Sequence, residues 1–241
     1  MIVFIVPYRD REQQKKFFDK HMTKDIMEDK EDNKDYIILY IHQRDERPFN
    51  RGAMKNIGLK VIKDKYPNTY KAMTLVFNDI DVMPYTKDFI NYETKKGVVK
   101  HYYGYRHTLG GIVSINAEDF ENIDGFPNFW TWGFEDLILQ GRVQKVNIVI
   151  NREEFYNMFD KNMMMLVHSF EDIISDTEMN KIKEDTVDGY SDIKNLKYEC
   201  DGRMVNVTNF NTKYSVPTDI VEHDRRKYLS ARIPPKKMVF R

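Results

Sequence analysis

Three short, continuously apolar runs separated by helix-period segments fix most of what this chain can fold into. Ile2–Val6, Tyr36–Ile41 and Met73–Phe77 each read as a buried strand. Between them, Glu12–Glu28 reads as a polar helix with a few apolar anchors. Gly52–Lys65 carries Met54, Ile57, Gly58, Val61 and Ile62 at the i, i+3, i+4, i+7, i+8 spacing of a buried stripe, with Asn50 placed to cap it. A βαβαβ order implies an α/β fold with a mostly parallel sheet covered on both faces. In such sheets ligands bind outside the carboxyl ends of the strands.

The second half is more mixed. Gly97–Tyr103, Ile112–Ile115 and Val146–Ile150 read as strands, and Ala117–Asn122 and Phe134–Val143 as helices. An aromatic, Gly- and Pro-containing loop spans Ile123–Gly133, and Tyr198–Tyr214 reads as a hairpin turning at Asp201-Gly202. At 241 residues one domain over 1–216 is expected, followed by a tail over 217–241. The single cysteine, Cys200, excludes an internal disulfide and a zinc site built from several thiolates. No apolar run approaches the ~20 residues a membrane helix needs. The first strand begins at the second residue with no signal-peptide pattern, so a reducing, cytoplasmic setting is expected.

Chemistry concentrates at the predicted strand ends. Asn78-Asp79-Ile80-Asp81 follows the third strand, and two carboxylates there can reach a divalent metal such as Mn²⁺ or Mg²⁺; an acidic turn is the plain alternative. Trp130-Thr131-Trp132-Gly133-Phe134-Glu135-Asp136 carries both tryptophans of the chain, which either stack on sugar rings or belong to the core. Its two acids either do chemistry or complement a helix dipole. His168, with Met165 nearby, is either a metal ligand or a structural side chain beside core filler. Pro7-Tyr8-Arg9-Asp10-Arg11 and Phe49-Asn50-Arg51-Gly52 follow the first and second strands. Their guanidinium groups suit a diphosphate, or else pair with surface acids such as Asp10 and Asp45.

In order along roughly residues 2–216, these segments resemble the β-1,4-galactosyltransferase family of inverting glycosyltransferases. Gly110-Gly111-Ile112-Val113-Ser114, Asp124-Gly125-Phe126-Pro127-Asn128 and Asp188-Gly189 extend the match. The resemblance implies a GT-A nucleotide-sugar-binding fold and Mn²⁺-dependent transfer of galactose from UDP-galactose to a glycan acceptor. It implies Asp81, Met165 and His168 as metal ligands. Pro7, Tyr8, Arg9, Arg11, Phe49, Arg51, Asp79, Gly110, Gly111 and Trp132 would line the nucleotide sugar. Trp132, Gly133, Glu135 and Asp136 would meet the acceptor, with Asp136 as general base and Glu135 beside it. Lys100 is the candidate for the family's phosphate-contacting lysine.

This chain also departs from the family. Thr131, Phe134 and Leu137 stand where the family loop has Gly, Gly and a further Asp, so N-acetylglucosamine does not carry over as the acceptor. Thr108 stands where galactose-specific members carry Tyr, and the smaller side chain leads us to expect some N-acetylgalactosamine transfer. Another hexosyl donor, or a sugar-nucleotide-binding module with impaired catalysis, is the alternative. Charge closes the reading. The 38 basic and 38 acidic residues cancel, which argues against a nucleic-acid-binding role. Yet Arg225–Arg241 holds seven basic residues and no acid. It reads as a solvated arm or as a dock for an anionic membrane or protein partner.

Overall fold

The computed structural model describes residues 1–27, 36–166, 171–183 and 187–224. In chain order, β1 (Ile2–Tyr8), α1 (Glu12–Lys20), β2 (Tyr36–Gln43), α2 (Arg51–Lys65) and β3 (Thr74–Asn78) form the expected βαβαβ unit. β4 (Val82–Pro84), β5 (Val98–Gly104), β6 (Ile112–Asn116), α3 (Ala117–Asn122), α4 (Glu135–Lys145), β7 (Val149–Asn151), β8 (Tyr156–Asn157) and β9 (Met163–Met165) follow. β10 (Glu171–Ile174), α5 (Asp176–Lys183), β11 (Lys194–Asp201), β12 (Met204–Asn211) and β13 (Val221–Asp224) complete the chain. The main sheet runs β11-β12-β2-β1-β3-β6-β5-β7, with β8 added beside β5.

The parallel half is where the sequence placed it. β1 pairs in parallel with both β2 and β3, and β12 pairs in parallel with the far side of β2. These strands are apolar throughout because both faces are covered, so no alternation is needed. Val3, Ile5, Leu39, Leu75 and Phe77 pack with α2 on one face; Phe4, Val6, Ile38, Tyr40 and Val76 pack with Phe18 and Met22 on the other. Asn50 caps α2, its side chain accepting from the Ala53 amide at 2.8 Å. Its own amide donates to Gln43 Oε1 at 2.8 Å. The β2–α2 turn is thus fixed, and Arg51 is aimed from the first helical position.

The structure adds β4, β8, β9, β10 and α5 to the elements read from the sequence, and two further segments differ from that reading. The first helix ends at Lys20 and continues as a π-helical segment, His21–Ile26, whose His21 bonds the Pro84 carbonyl. The segment read as a tail from 217 contributes β13, which pairs antiparallel with β10. Asp219 also accepts from Ser175 Oγ at 2.6 Å and from the Thr177 amide at 2.9 Å. Long sequence separation hid this strand, since its partner lies about fifty residues upstream. The basic run from Arg225 lies outside the described residues. Among the described residues no helix is long and apolar enough to cross a membrane.

Candidate active site

At the carboxyl ends of β1, β2 and β3 a mostly buried charge cluster centres on Arg51. Its Nη2 lies 3.3 Å from Asp79 Oδ2 and 3.0 Å from Asp136 Oδ2, and its Nε lies 3.0 Å from Glu135 Oε1. One turn further along α2, the buried Lys55 places Nζ 3.0 Å from Asp136 Oδ1. One helix therefore presents two cations, four residues apart, to acids from the β3 end and the start of α4. The sequence reading missed Lys55. The available signal was a lysine inside the apolar stripe of a buried helix, four residues after an arginine.

The two acids of α4 differ in environment. Glu135 is 4% exposed. Burial raises its pKa, and the neighbouring Asp136 charge adds to that against the opposing pull of Arg51. Burial also pushes on Asp136, but Lys55 and then Arg51 outweigh it and hold that carboxyl below the ordinary range. Adjacent titratable groups driven apart in this way are suited to different roles, with Asp136 the one kept ionised.

Gly110 forms the wall opposite. A Cβ there would overlap the Asp136 carboxylate, and one at Gly111 (φ +74°) would overlap the Tyr103 carbonyl. The Leu109 amide donates to the Asp136 carbonyl at 3.0 Å, and the Asp79 amide donates to the Gly111 carbonyl at 3.1 Å. The glycine pair thus joins Asp79 to Asp136. Thr108, half-buried, sits in the preceding turn with Oγ1 3.3 Å from the Tyr105 carbonyl.

Asp81 and Met165 are brought together by the β4–β9 ladder, in which Val82 faces Met165 and the Leu166 amide donates to the Asp81 carbonyl at 2.7 Å. Burial and the nearby Asp79 charge push the Asp81 carboxyl up to about 6, against Arg51 and Arg11. A divalent cation relieves that kind of carboxylate crowding, so the donors present fit one. Tyr103 Oη stands 3.8 Å from Met165 Sδ. His168 lies outside the described residues. Among the described residues no group of three or more His, Cys, Asp or Glu is gathered to hold a metal.

The remaining expected residues divide. Pro7 and Tyr8 close β1, where Tyr8 meets His42 edge-on at 5.0 Å. Arg9 donates to the Arg47 carbonyl and lies 3.5 Å from Asp10, so the surface pairing considered for it is present. Arg11 begins α1, and Phe49 packs partly buried on the core. A cleft of about 320 Å³ beside them is lined by Arg9, His42, Gln43, Arg44 and Glu46, among others. The tryptophans take opposite fates. Trp130 is core, stacked on Phe210 at 5.5 Å, whereas Trp132 is 48% exposed and anchored by its amide to the Ile173 carbonyl. Gly133 (φ +98°) follows in open space, then Phe134 at φ +66°. Lys100 does not join this group: its ammonium is taken by the Asn91 carbonyl at 3.2 Å.

An open α/β sheet with an acid-rich cluster at its strand ends is the layout of a ligand-binding α/β domain. Comparison with known proteins says which one. Residues 1–95 match the family model described as the N-terminal region of glycosyl transferase group 7, and residues 95–169 the one described as the N-terminal domain of galactosyltransferase. Xylosylprotein 4-β-galactosyltransferase of Caenorhabditis elegans is 32% identical over 55% of this chain and 46% of its own length. Human β-1,4-galactosyltransferase 4 is 28% identical over 63% and 44%. The catalytic domain of Drosophila β1,4-galactosyltransferase 7, in complex with xylobiose, superposes with a TM-score of 0.68 at 19% identity, covering 89% of this chain and 95% of that one. A variant of the same enzyme, solved with manganese, UDP-Gal and xylobiose, gives 0.65 with the same identity and coverage. The chain belongs to the β-1,4-galactosyltransferase family and has its GT-A-type fold. It spans less than half the length of the curated relatives it matches.

Proposed function

We propose that this chain is an inverting, metal-dependent glycosyltransferase that moves galactose from UDP-galactose to a hydroxyl of a glycan acceptor. The observation that carries the reading is the Asp136 carboxylate held 3.0 Å from both Arg51 and Lys55 and facing Gly110. Support comes from family membership and from the Drosophila neighbour solved with manganese, UDP-Gal and xylobiose.

Asp136, held ionised by Lys55 and Arg51, takes the proton of the attacking acceptor hydroxyl at Oδ1 or Oδ2. Such general-base help is worth about 10²–10⁴ in rate. Inversion follows when that hydroxyl attacks from the face opposite the diphosphate. Glu135, shifted toward its protonated form, can hydrogen-bond an acceptor hydroxyl and orient it. Exposed Trp132 offers a flat apolar face to a sugar ring. Arg9, Arg11 and Arg51 line the strand ends where the diphosphate would lie, and Arg51 would exchange carboxylate partners for phosphate oxygens. Asp81, Met165 and His168 would hold Mn²⁺ or Mg²⁺, which when bound supplies Lewis-acid stabilisation of the departing diphosphate.

The test is UDP release with UDP-galactose and UDP-N-acetylgalactosamine, with and without Mn²⁺, across glycan acceptors including xylobiose. Metal-dependent turnover that Asp136→Asn abolishes while UDP binding persists supports an enzyme. UDP binding without turnover on any donor would instead identify a sugar-nucleotide-binding module.

A further inference from the structure

His101 is almost fully buried on β5, away from the strand ends that the sequence marks. Arg152, just after β7, donates from Nε to His101 Nδ1 at 3.0 Å. A guanidinium has no acceptor, so Nδ1 must be the bare nitrogen and Nε2 must carry the proton. Nε2 then donates to both the Gly110 carbonyl at 3.0 Å and the Tyr103 carbonyl at 3.1 Å, closing the base of the 104–111 turn. Arg152 Nη2 reaches two more partners, the Thr108 carbonyl at 3.3 Å and Gln140 Oε1 at 2.6 Å. Gln140, on α4, returns Nε2 to the His107 carbonyl at 3.0 Å. The turn that carries Thr108 and Gly110 is thereby tied to the helix that carries Asp136.

We propose that His101 and Arg152 are positioning residues. Arg152 fixes the imidazole tautomer, and the imidazole holds Gly110 against Asp136, so that together they set the spacing between the donor-side wall and the general base. The proposal rests on the assignment of Asp136 as that base. No local motif points to it: the two residues are fifty-one positions apart and meet only because β5 and β7 pair in parallel.

The surroundings agree. Burial and then the Arg152 charge bring the His101 pKa down to about 4, against the Gly110 and Tyr103 carbonyls and the more distant Asp136. The Phe155 ring covers His101 at 4.8 Å, under the Arg106 guanidinium. Lys100, Glu153 and Glu154 line a small cavity together with His101. A protonated imidazole would repel Arg152 and lose its Nδ1 acceptor, so the lock holds only in the neutral form.

The experiment pairs NMR with kinetics on the full chain. Nitrogen-15 histidine spectra of the wild type should show His101 as the Nε2–H tautomer, unchanged between about pH 5.5 and 8. In Arg152→Met its pKa should rise from the wild-type value, since one of the two influences that lower it is gone while burial remains. Arg152→Met and His101→Leu should each lower kcat by about ten- to a hundredfold, the penalty of a small misplacement, with the Kd for UDP and Mn²⁺ unchanged. His101→Gln, which keeps a donor near the Nε2 position, should recover much of the loss. A wild-type His101 that titrates in the window, or that carries its proton on Nδ1, overturns the lock, and this measurement needs no variant to fold. Wild-type kcat in His101→Leu, or losses confined to Kd, overturns the positioning role. If the wild type transfers no sugar, Asp136 is not a base and the catalytic half of the proposal falls with it, while the tautomer measurement still decides the lock.

Discussion

Arg51 donates from Nη2 to the Asp136 carboxylate at 3.0 Å, joining the first turn of α2 to the first turn of α4. The same guanidinium stands close to Asp79 and Glu135, so it is shared among three acids. Arg51→Ala should therefore do two kinds of damage. Leaving mostly buried carboxylates without their cation costs about 3–5 kcal/mol, read as a lower midpoint in denaturant. UDP affinity should fall as well, if the guanidinium also meets phosphate. Arg51→Lys should rescue neither, because a point charge cannot serve partners at Nε and Nη2 together. Wild-type stability in Arg51→Ala would mean that the cluster is not held by this residue.

Lys55 sets the ionisation of Asp136. With Lys55 in place the Asp136 pKa lies below its ordinary value. A carboxyl with a depressed folded pKa stabilises the fold above its unfolded pKa, and that contribution is lost as pH falls through the depressed value. Lys55→Met should shift this loss to higher pH. It should also move the acid limb of the pH–rate profile upward, since the base is protonated sooner. An acid limb that stays in place would assign it to another group.

Metal dependence should follow Asp81. Its carboxyl is pushed up to about 6, so without metal the folded protein binds that proton more tightly than the unfolded chain does. Metal-free stability attributable to this group therefore rises as pH falls through about 6 toward the ordinary carboxylate range. Mn²⁺ needs the ionised form, so its stabilising effect should grow in the opposite direction. The Tm gain from Mn²⁺ should be larger at about pH 7.5 than at about pH 5.5, and chelation should abolish it. Asp81→Asn should remove the gain at both values; a gain that survives would put the metal elsewhere.

How much of this was legible in sequence depends on range. The βαβαβ unit, its capping Asn50 and the acids after β3 are local features, written as apolar runs, helix spacing and strand-end polarity. The meeting of Arg51 with Asp136 spans eighty-five positions, and only the family resemblance anticipated that both belong to one site. Lys55 left a faint local trace. His101 and Arg152 left none, because a buried histidine's role depends on what the sheet brings to its two nitrogens. Trp130 and Trp132 could not be separated by residue type; the α4 entry loop sends one inward onto Phe210 and leaves the other exposed.

Donor choice should respond to Thr108. It lies beside Gly110 in a turn whose carbonyl is held by Arg152. If Thr108 faces the donor sugar as proposed, its small side chain would leave room for an N-acetyl group, and the wild type should transfer N-acetylgalactosamine at a measurable rate beside galactose. Thr108→Tyr should narrow transfer toward galactose, read as the ratio of kcat/KM for the two donors. One misfitting group is worth about 1–3 kcal/mol, a ten- to two-hundredfold change in that ratio. A wild type strictly limited to galactose would sink the idea.

Phe134 caps α4 at φ +66°, a backbone conformation that costs a side-chain-bearing residue about 1–2 kcal/mol. Its side chain is 42% exposed, so it recovers little of this by burial. Phe134→Gly removes the strain but frees the unfolded chain, a cost of about 0.5–1 kcal/mol. The relief exceeds the cost, so the variant should be as stable as wild type or up to about 1 kcal/mol more so. Phe134→Ala keeps the strain and loses what burial there is, so it should be less stable than Phe134→Gly by up to about 1 kcal/mol in urea. Both the left-handed backbone and the N-cap position put Gly above Ala here. If Ala proves the more stable, Phe134 does not hold this conformation in solution, and the loop carrying Trp132 and Gly133 enters α4 by a different path.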